Sequence, residues 1–174
     1  MFILAAMRLI ALDPALRNSG YALLESDPGL RVRVLDFGII RNDASLCMSS
    51  CLVEIHRAIG HLLDRYQPEL CAVESVIFVQ NSRTAVTLGA ARGSALLAVA
   101  QRGLLIYEYP PKRVKQAVVG RGNAHKEQVG FMVRALLGLE RAPEADAADA
   151  LAIGLTHVQM QATPTALVGA YRNI

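Results

Sequence analysis

Residues 7–41 read MRLIALDPALRNSGYALLESDPGLRVRVLDFGIIR, and this stretch decides the fold class. Residues 7–13 form a short apolar, β-prone run that Asp13-Pro14 stops, because proline lacks the N–H that a ladder needs. Gly20–Leu24 and Val32–Ile40 are two further β-prone runs, separated by the turn-like Ser26-Asp27-Pro28-Gly29. Three such runs with short connections predict an antiparallel meander.

Beyond this meander the hydrophobic period changes. Met48, Leu52, Ile55, Ile59, Leu62 and Tyr66 recur at spacings of 4, 3, 4, 3 and 4, the stripe of an amphipathic helix. Leu70–Val73 is a short apolar strand ending at Glu74, residues 82–102 are helical and rich in small side chains, and Leu104–Tyr109 is a fifth strand. Pro110-Pro111 opens a short basic segment, residues 125–137 form a helix, and a last helix starts near Pro143. The order βββ-α-β-α-β-α-α predicts an α/β fold with one five-stranded mixed sheet, helices on its faces. A chain of 174 residues with 53% apolar content is one domain, 1–174, able to bury its own core. Within it, residues 1–6 read as an extension before Met7 and 162–174 as a tail.

Three cysteines, Cys47, Cys51 and Cys71, are too few and too odd for a secreted disulfide framework and indicate a reducing cytoplasm. They read as small core residues, since no His or Cys pair completes a zinc site with Cys47 and Cys51. The apolar start lacks the basic region of a signal peptide, and no run approaches the roughly 20 apolar residues of a membrane span.

Four carboxylates stand in apolar surroundings. Asp13 closes RLIALD, Glu74 closes LCAVE, and Asp146 and Asp149 lie in PEADAADALAIGL at a three-residue spacing that places both on one helix face. Each has an ordinary reading: a turn for Asp13, an ion pair for Glu74, a helix N-terminus for Asp146. Asp149 resists this, standing near the seventh helical position if Pro143 is the first. Unpaired carboxylates are costly away from water. A hard, oxygen-seeking cation such as Mg²⁺ would partner them. His56 and His61 read as surface residues, Ser75 lacks a glycine-flanked elbow, and Gly120-Arg121-Gly122 is too short for a dinucleotide fingerprint.

The formal charge is only +3, yet it is unevenly spread. Residues 83–134 hold nine basic side chains against Glu108 and Glu127 alone, and all three lysines, Lys112, Lys115 and Lys126, fall in this window. With Arg113 and Arg121 beside a Gly-Arg-Gly turn, the segment suits a phosphate backbone. Acids to hold metals and bases to hold phosphates are the needs of a nuclease.

The stretches LDPALRNSGYALLE (12–25), AVESVIFVQNSRTAVTLGAARGSALLA (72–98), YEYPPKRVKQAVVGRGNAHKEQVGFMVRALLGL (107–139) and PEADAADALAIGLTH (143–157) resemble the RuvC family of Holliday-junction resolvases. The resemblance implies an RNase H-like fold and a homodimer. It implies Mg²⁺-dependent cutting of four-way DNA junctions, two ions per active site with Mn²⁺ as a substitute, leaving 5′-phosphate and 3′-hydroxyl ends in recombination and repair. A RuvA/RuvB-type branch-migration complex is the further partner it implies.

Asp13, Glu74, Asp146 and Asp149 match the family's metal-binding acids, and Lys115 and Lys126 its bases near the scissile phosphate. Arg83, Lys112, Arg113 and Arg121, with Ile77 and Phe78, are expected at the DNA, and the 82–102 helix at the dimer. Asp13 is the expected shared ligand, Glu74 and Asp149 complete the two sites, and Asp146 is ligand or base. Two departures stand out: Ala15 replaces the usual glycine of Asp-Pro-Gly, and Ile77, followed by Phe78, occupies a position that is commonly aromatic. Another RNase H-like nuclease, acting on RNA–DNA hybrids or on branched DNA, and a non-catalytic junction-binding module are the alternatives. An actin-like ATPase would need a second domain.

Overall fold

The computed structural model describes residues 6–76, 81–161 and 172–173. Its elements, in chain order, are β1 (Met7–Asp13), β2 (Asn18–Ser26), β3 (Val32–Arg41), α1 (Met48–Tyr66), β4 (Leu70–Glu74), α2 (Ser82–Ala100), β5 (Leu105–Tyr109), α3 (Pro111–Val119), α4 (Lys126–Leu137), α5 (Ala145–Gln161) and β6 (Arg172–Asn173). The sheet runs β3-β2-β1-β4-β5-β6. The predicted meander is present as β1–β3, and β4 and β5 follow parallel to β1. The five-stranded expectation is thus met and extended. Two residues of the expected tail, Arg172 and Asn173, pair antiparallel with Glu108 and Tyr107, covering backbone groups that an edge strand leaves open.

Strand alternation sorts the core onto two faces. Leu9, Ala11, Ala22, Leu24, Leu70 and Ala72 pack beneath α3, α4 and α5. Ile10, Leu12, Leu23, Cys71 and Val73 pack beneath α1 and α2. Helix α5 lies unusually close to the sheet. Four of its buried residues are alanine (Ala147, Ala148, Ala150, Ala152), and at Gly154 an added Cβ would meet Leu24 Cδ1 at 2.5 Å.

Several local expectations need correction. The 111–119 segment is a helix, α3, not merely a basic stretch. Its diproline supplies a ready first turn, and Val114 and Val118, four apart, bury one narrow stripe. Helix α5 starts at Ala145 rather than Pro143, so Asp149 is its fifth residue. The expected stripe of α1 packs on the core at Leu52, Ile55, Ile59, Leu62 and Tyr66, Cys51 and Leu63 are buried beside it, and Met48 alone of the stripe is left exposed. Cys51 and Cys71 are core residues, but Cys47 is exposed, because it precedes the first turn of α1 and lies off that stripe.

Candidate active site

Asp13 and Glu74 terminate the neighbouring parallel strands β1 and β4, one residue past the paired Leu12 and Val73. Alternation turns both toward the α5 side, since Ala11 and Ala72, two residues earlier, pack there. The carboxyl ends of strands, where the chain reverses its order in an open sheet, form a natural crevice. Gly20 pairs with Asp13 across β1 and β2. It also lies directly beneath the first turn of α5, which carries Asp146 and, one turn later, Asp149. Lys126, the first residue of α4, reaches to 3.6 Å from Asp149 Oδ2.

The electrostatics tie these groups into one cluster. Burial first, then Asp149 and Asp146, push Asp13 up to about 6, against the pull of Lys126. Burial, Asp13 and Asp149 push Glu74 up to about 7, opposed by Lys115 and Lys126. Asp149 is raised by burial and by Asp146 while Lys126 and Lys115 pull it down. Each of the four expected acids and both expected lysines therefore acts on at least one other member of the group.

Their chemistry suits a hard divalent cation. The donors are all carboxylate oxygens, and burial together with mutual repulsion holds Asp13 and Glu74 well above the ordinary carboxylate range, a cost that a bound cation would relieve. Among the described residues no three His, Cys, Asp or Glu side chains converge into a ready-made cage. Mg²⁺ does not require one, because it keeps several waters and takes one or two carboxylates.

Positioning groups surround the acids, and the sequence reading did not single them out. Arg92 of α2 donates through Nη1 to the Glu74 carbonyl at 2.6 Å and through Nη2 to Glu108, with both side chains largely buried. Ser75 N–H donates to the Tyr109 carbonyl, carrying the β4–β5 ladder past Glu74. Nothing in the sequence separated Arg92 from the other basic residues of its window. Gly20 did have a signal: a glycine between polar and aromatic residues in a strand marks close backbone approach.

The basic window divides. Arg92 and Arg102 are taken by Glu108 and Asp64, and Arg134 lies on the Leu139 and Glu140 carbonyls. Arg83, Lys112, Arg113, Lys115 and Arg121 form no ion pair with a described residue. The Lys112 stem packs on Gly122, where a Cβ would stand 2.5 Å from Lys112 Cγ. Ile77 and Phe78 lie outside the described residues. Ala15 keeps a negative φ, so the turn after Asp13 never requires glycine. The Ser19 hydroxyl closes it, donating to the Ala15 carbonyl at 2.6 Å and accepting from Ala15 N–H at 3.1 Å.

A family model described as crossover junction endodeoxyribonuclease RuvC matches residues 9–157. The chain belongs to the RuvC family. A crossover junction endodeoxyribonuclease RuvC from Akkermansia muciniphila is 53% identical over 152 residues, covering 87% of this chain and 90% of that one. Among solved structures, Thermus thermophilus RuvC in complex with Holliday junction substrate superposes with a TM-score of 0.83 at 35% identity, over 89% of this chain and 94% of that one. The yeast mitochondrial Holliday junction resolvase Ydc2 matches at TM-score 0.65 and 12% identity, covering 92% and 83%, and shares the fold. The RuvC family thus confirms the resolvase-type RNase H-like architecture. No helix among the described residues is long and apolar enough to cross a membrane.

Proposed function

We propose that this chain resolves four-way DNA junctions by metal-dependent phosphodiester hydrolysis, leaving 5′-phosphate and 3′-hydroxyl ends, in recombination and repair. The observation that carries this is the single cluster of Asp13, Glu74, Asp146 and Asp149 with Lys115 and Lys126 within electrostatic reach. The family membership and the junction bound by the Thermus relative support the substrate.

Asp13, Glu74 and Asp149 would hold the cations, two Mg²⁺ ions or Mn²⁺ in their place, and Asp146 would serve as a further ligand or as the base for the water. Bound there, the ions supply Lewis-acid stabilisation of the phosphate and lower the pKa of water. Asp13, on an inner strand between β2 and β4, would be the ligand common to both ions. Lys115 and Lys126 face the charge that builds on the phosphate, the electrostatic term that dominates such sites. Arg83, Lys112, Arg113 and Arg121 track the backbone, with no acidic partner to release first. Ile77 and Phe78 stay assigned to the junction by resemblance alone.

Two cuts need two sites, so the working unit is a homodimer. On α2 an outward stripe of Val86 (66% exposed), Gly89, Gly93 and Leu97 (53% exposed) supports that helix as the contact. An added Cβ at either glycine would meet nothing within 4 Å, leaving room for a second helix to approach closely. The resemblance also carries the proposal of a RuvA/RuvB-type branch-migration complex, and the odd, sparse cysteines that of a reducing cytoplasm.

The deciding experiment compares a four-way junction with an RNA–DNA hybrid duplex in Mg²⁺, each with a chelator control. Paired nicks in the junction alone, lost on chelation, are expected. Cutting of the hybrid alone would replace this reading with a hybrid nuclease. Tight junction binding without nicking would replace it with a binding module.

A further inference from the structure

A cavity of about 400 Å³ opens directly beside the acid cluster, between α4 and the start of α5. Lys126 and Asp149, which form the 3.6 Å ion pair, belong to its wall, so the cavity and the cluster are continuous. The rest of the lining is apolar at Phe131, Pro143, Ala145 and Ala148, with Gly130 between, and charged at Glu127 and Arg134. A phosphate site would not be built this way. An apolar floor with the Lys126–Asp149 pair at its mouth suits a group that is flat and apolar on its faces and tethered to a phosphate that Lys126 can meet.

Phe131 is 68% exposed, the most exposed large hydrophobic side chain of the described residues. An unpaired aromatic at the rim of a charged site is costly to solvate and offers a stacking face. Gly130 is equally telling. Glycine weakens a helix interior, and it is usually kept where a neighbour needs the space. Here an added Cβ would meet no atom within 4 Å. No protein neighbour uses the room, and a larger side chain would only fill the cavity. Arg134, held by the carbonyls of Leu139 and Glu140 at 3.3 and 3.1 Å, fixes a second positive charge on the same wall.

We propose that this cavity is a nucleotide subsite, in which the base adjoining the scissile phosphate leaves its stack and lies on Phe131. The inference rests on the nuclease reading above and deepens it. The phosphate at the acid cluster and the base in the cavity are parts of one strand. Lys126 stands at their junction, and Arg134 faces the backbone that follows. Base–aromatic stacking tolerates any base, because each has a π-face. The subsite therefore draws the strand into the site and makes cutting depend on a base being there, whatever its identity.

The test uses four-way junctions in which each nucleotide flanking the cut is replaced in turn by an abasic residue, with single-turnover rates measured in Mg²⁺. For the wild type, one position should slow cutting on the order of tenfold, the scale of one lost stacking contact. Phe131→Ala should cut the intact junction at that slowed rate and ignore the abasic residue, and Phe131→Trp should restore the difference. A 2-aminopurine base at that position should be quenched on binding by the wild type and not by Phe131→Ala. Matching thermal melts of the variants exclude misfolding, as the side chain is exposed. If Phe131→Ala keeps the wild-type ratio between intact and abasic junctions, the subsite is refuted while junction cutting stands. A wild type that cuts no junction in Mg²⁺ would remove both readings.

Discussion

Gly20 lies so tightly beneath Asp146 that a Cβ carbon on it would stand 1.9 Å from the Asp146 carbonyl oxygen. The same glycine is the cross-strand partner of Asp13. One residue without a side chain thus sets the separation between the acid of β1 and the acids of α5. The obstacle to any larger residue is backbone, which cannot rotate away.

Gly20→Ala should therefore lift the start of α5 off the sheet. We expect a loss of about 1–3 kcal/mol in stability, a fall in melting temperature of roughly 2–12 °C, and a drop in junction cutting larger than any drop in junction binding. A variant that melts and cuts like the wild type would show that α5 is positioned by other contacts.

Asp13 has a pH signature. Its folded pKa of about 6 lies above the ordinary 3.8, so folding without metal takes up protons between these values. Its favourable contribution is present below the ordinary value and lost as pH rises through about 6; for Glu74 the loss extends to about 7. Asp13→Asn should raise the metal-free melting temperature at pH 8 more than at pH 5. It should also abolish cutting while junction binding persists. Mg²⁺ affinity of the wild type should climb from pH 5.5 to 8 with proton release by calorimetry. Equal melting shifts at both pH values would contradict the strained carboxylate.

Arg92 holds the Glu74 carbonyl and Glu108 from the far face of the sheet. Arg92→Met leaves Glu108 largely buried and unpaired, a loss of about 3–5 kcal/mol by the usual cost of breaking such a pair. The pairing with Glu74 predicts weaker Mg²⁺ binding as well. A double variant, Arg92→Met with Glu108→Leu, should recover most of the stability but not the metal affinity. Recovery of both would make the pair purely structural.

His157 is buried on α5, and burial pulls it down to about 4. Gln161 Nε2 approaches its Nε2 at 3.2 Å, which assigns the ring proton to Nδ1, donated to the Tyr109 oxygen at 2.7 Å. The unfolded chain binds a proton near 6.5 that the folded chain refuses until about 4. This contribution is therefore complete above pH 6.5 and lost as pH falls through that window. Stability measured by denaturant between pH 7 and 4 should fall less steeply in His157→Gln than in the wild type. Parallel curves would mean that His157 is protonated without cost.

Lys115 offers an electrostatic test. If it meets a phosphate, Lys115→Ala should lower the slope of log K against log salt by about 0.9 for junction binding. An unchanged slope would confine Lys115 to the transition state.

Much of this was legible because the signals were local. MRLIALD, NSGYALLES and LCAVE announce strands by composition and by their stops, and the acids ending two of them stood out against apolar neighbours. The helix α3 was obscured because its apolar face is only Val114 and Val118 among basic residues. The start of α5 was misplaced because Pro143 suits a first turn, whereas the chain first becomes helical at Ala145. Arg92 could not be distinguished at all, since its partners, Glu74 and Glu108, lie 18 and 16 residues away.

The residue types and periods of this chain dictated the strands, most of the helices, the four acids and the basic character of residues 83–134, because each depends on neighbours within a turn or a strand. The grouping of those acids was a matter of packing. Asp13, Glu74, Asp146 and Asp149 come within electrostatic reach only because parallel β1 and β4 end side by side and α5 descends to the sheet over Gly20 and Gly154. The cavity at Phe131 has the same origin: it exists between two helices, and no single segment records it. Carboxylate repulsion and burial, which set the chemistry of the site, depend on distances that arise only when the sheet and α5 come together.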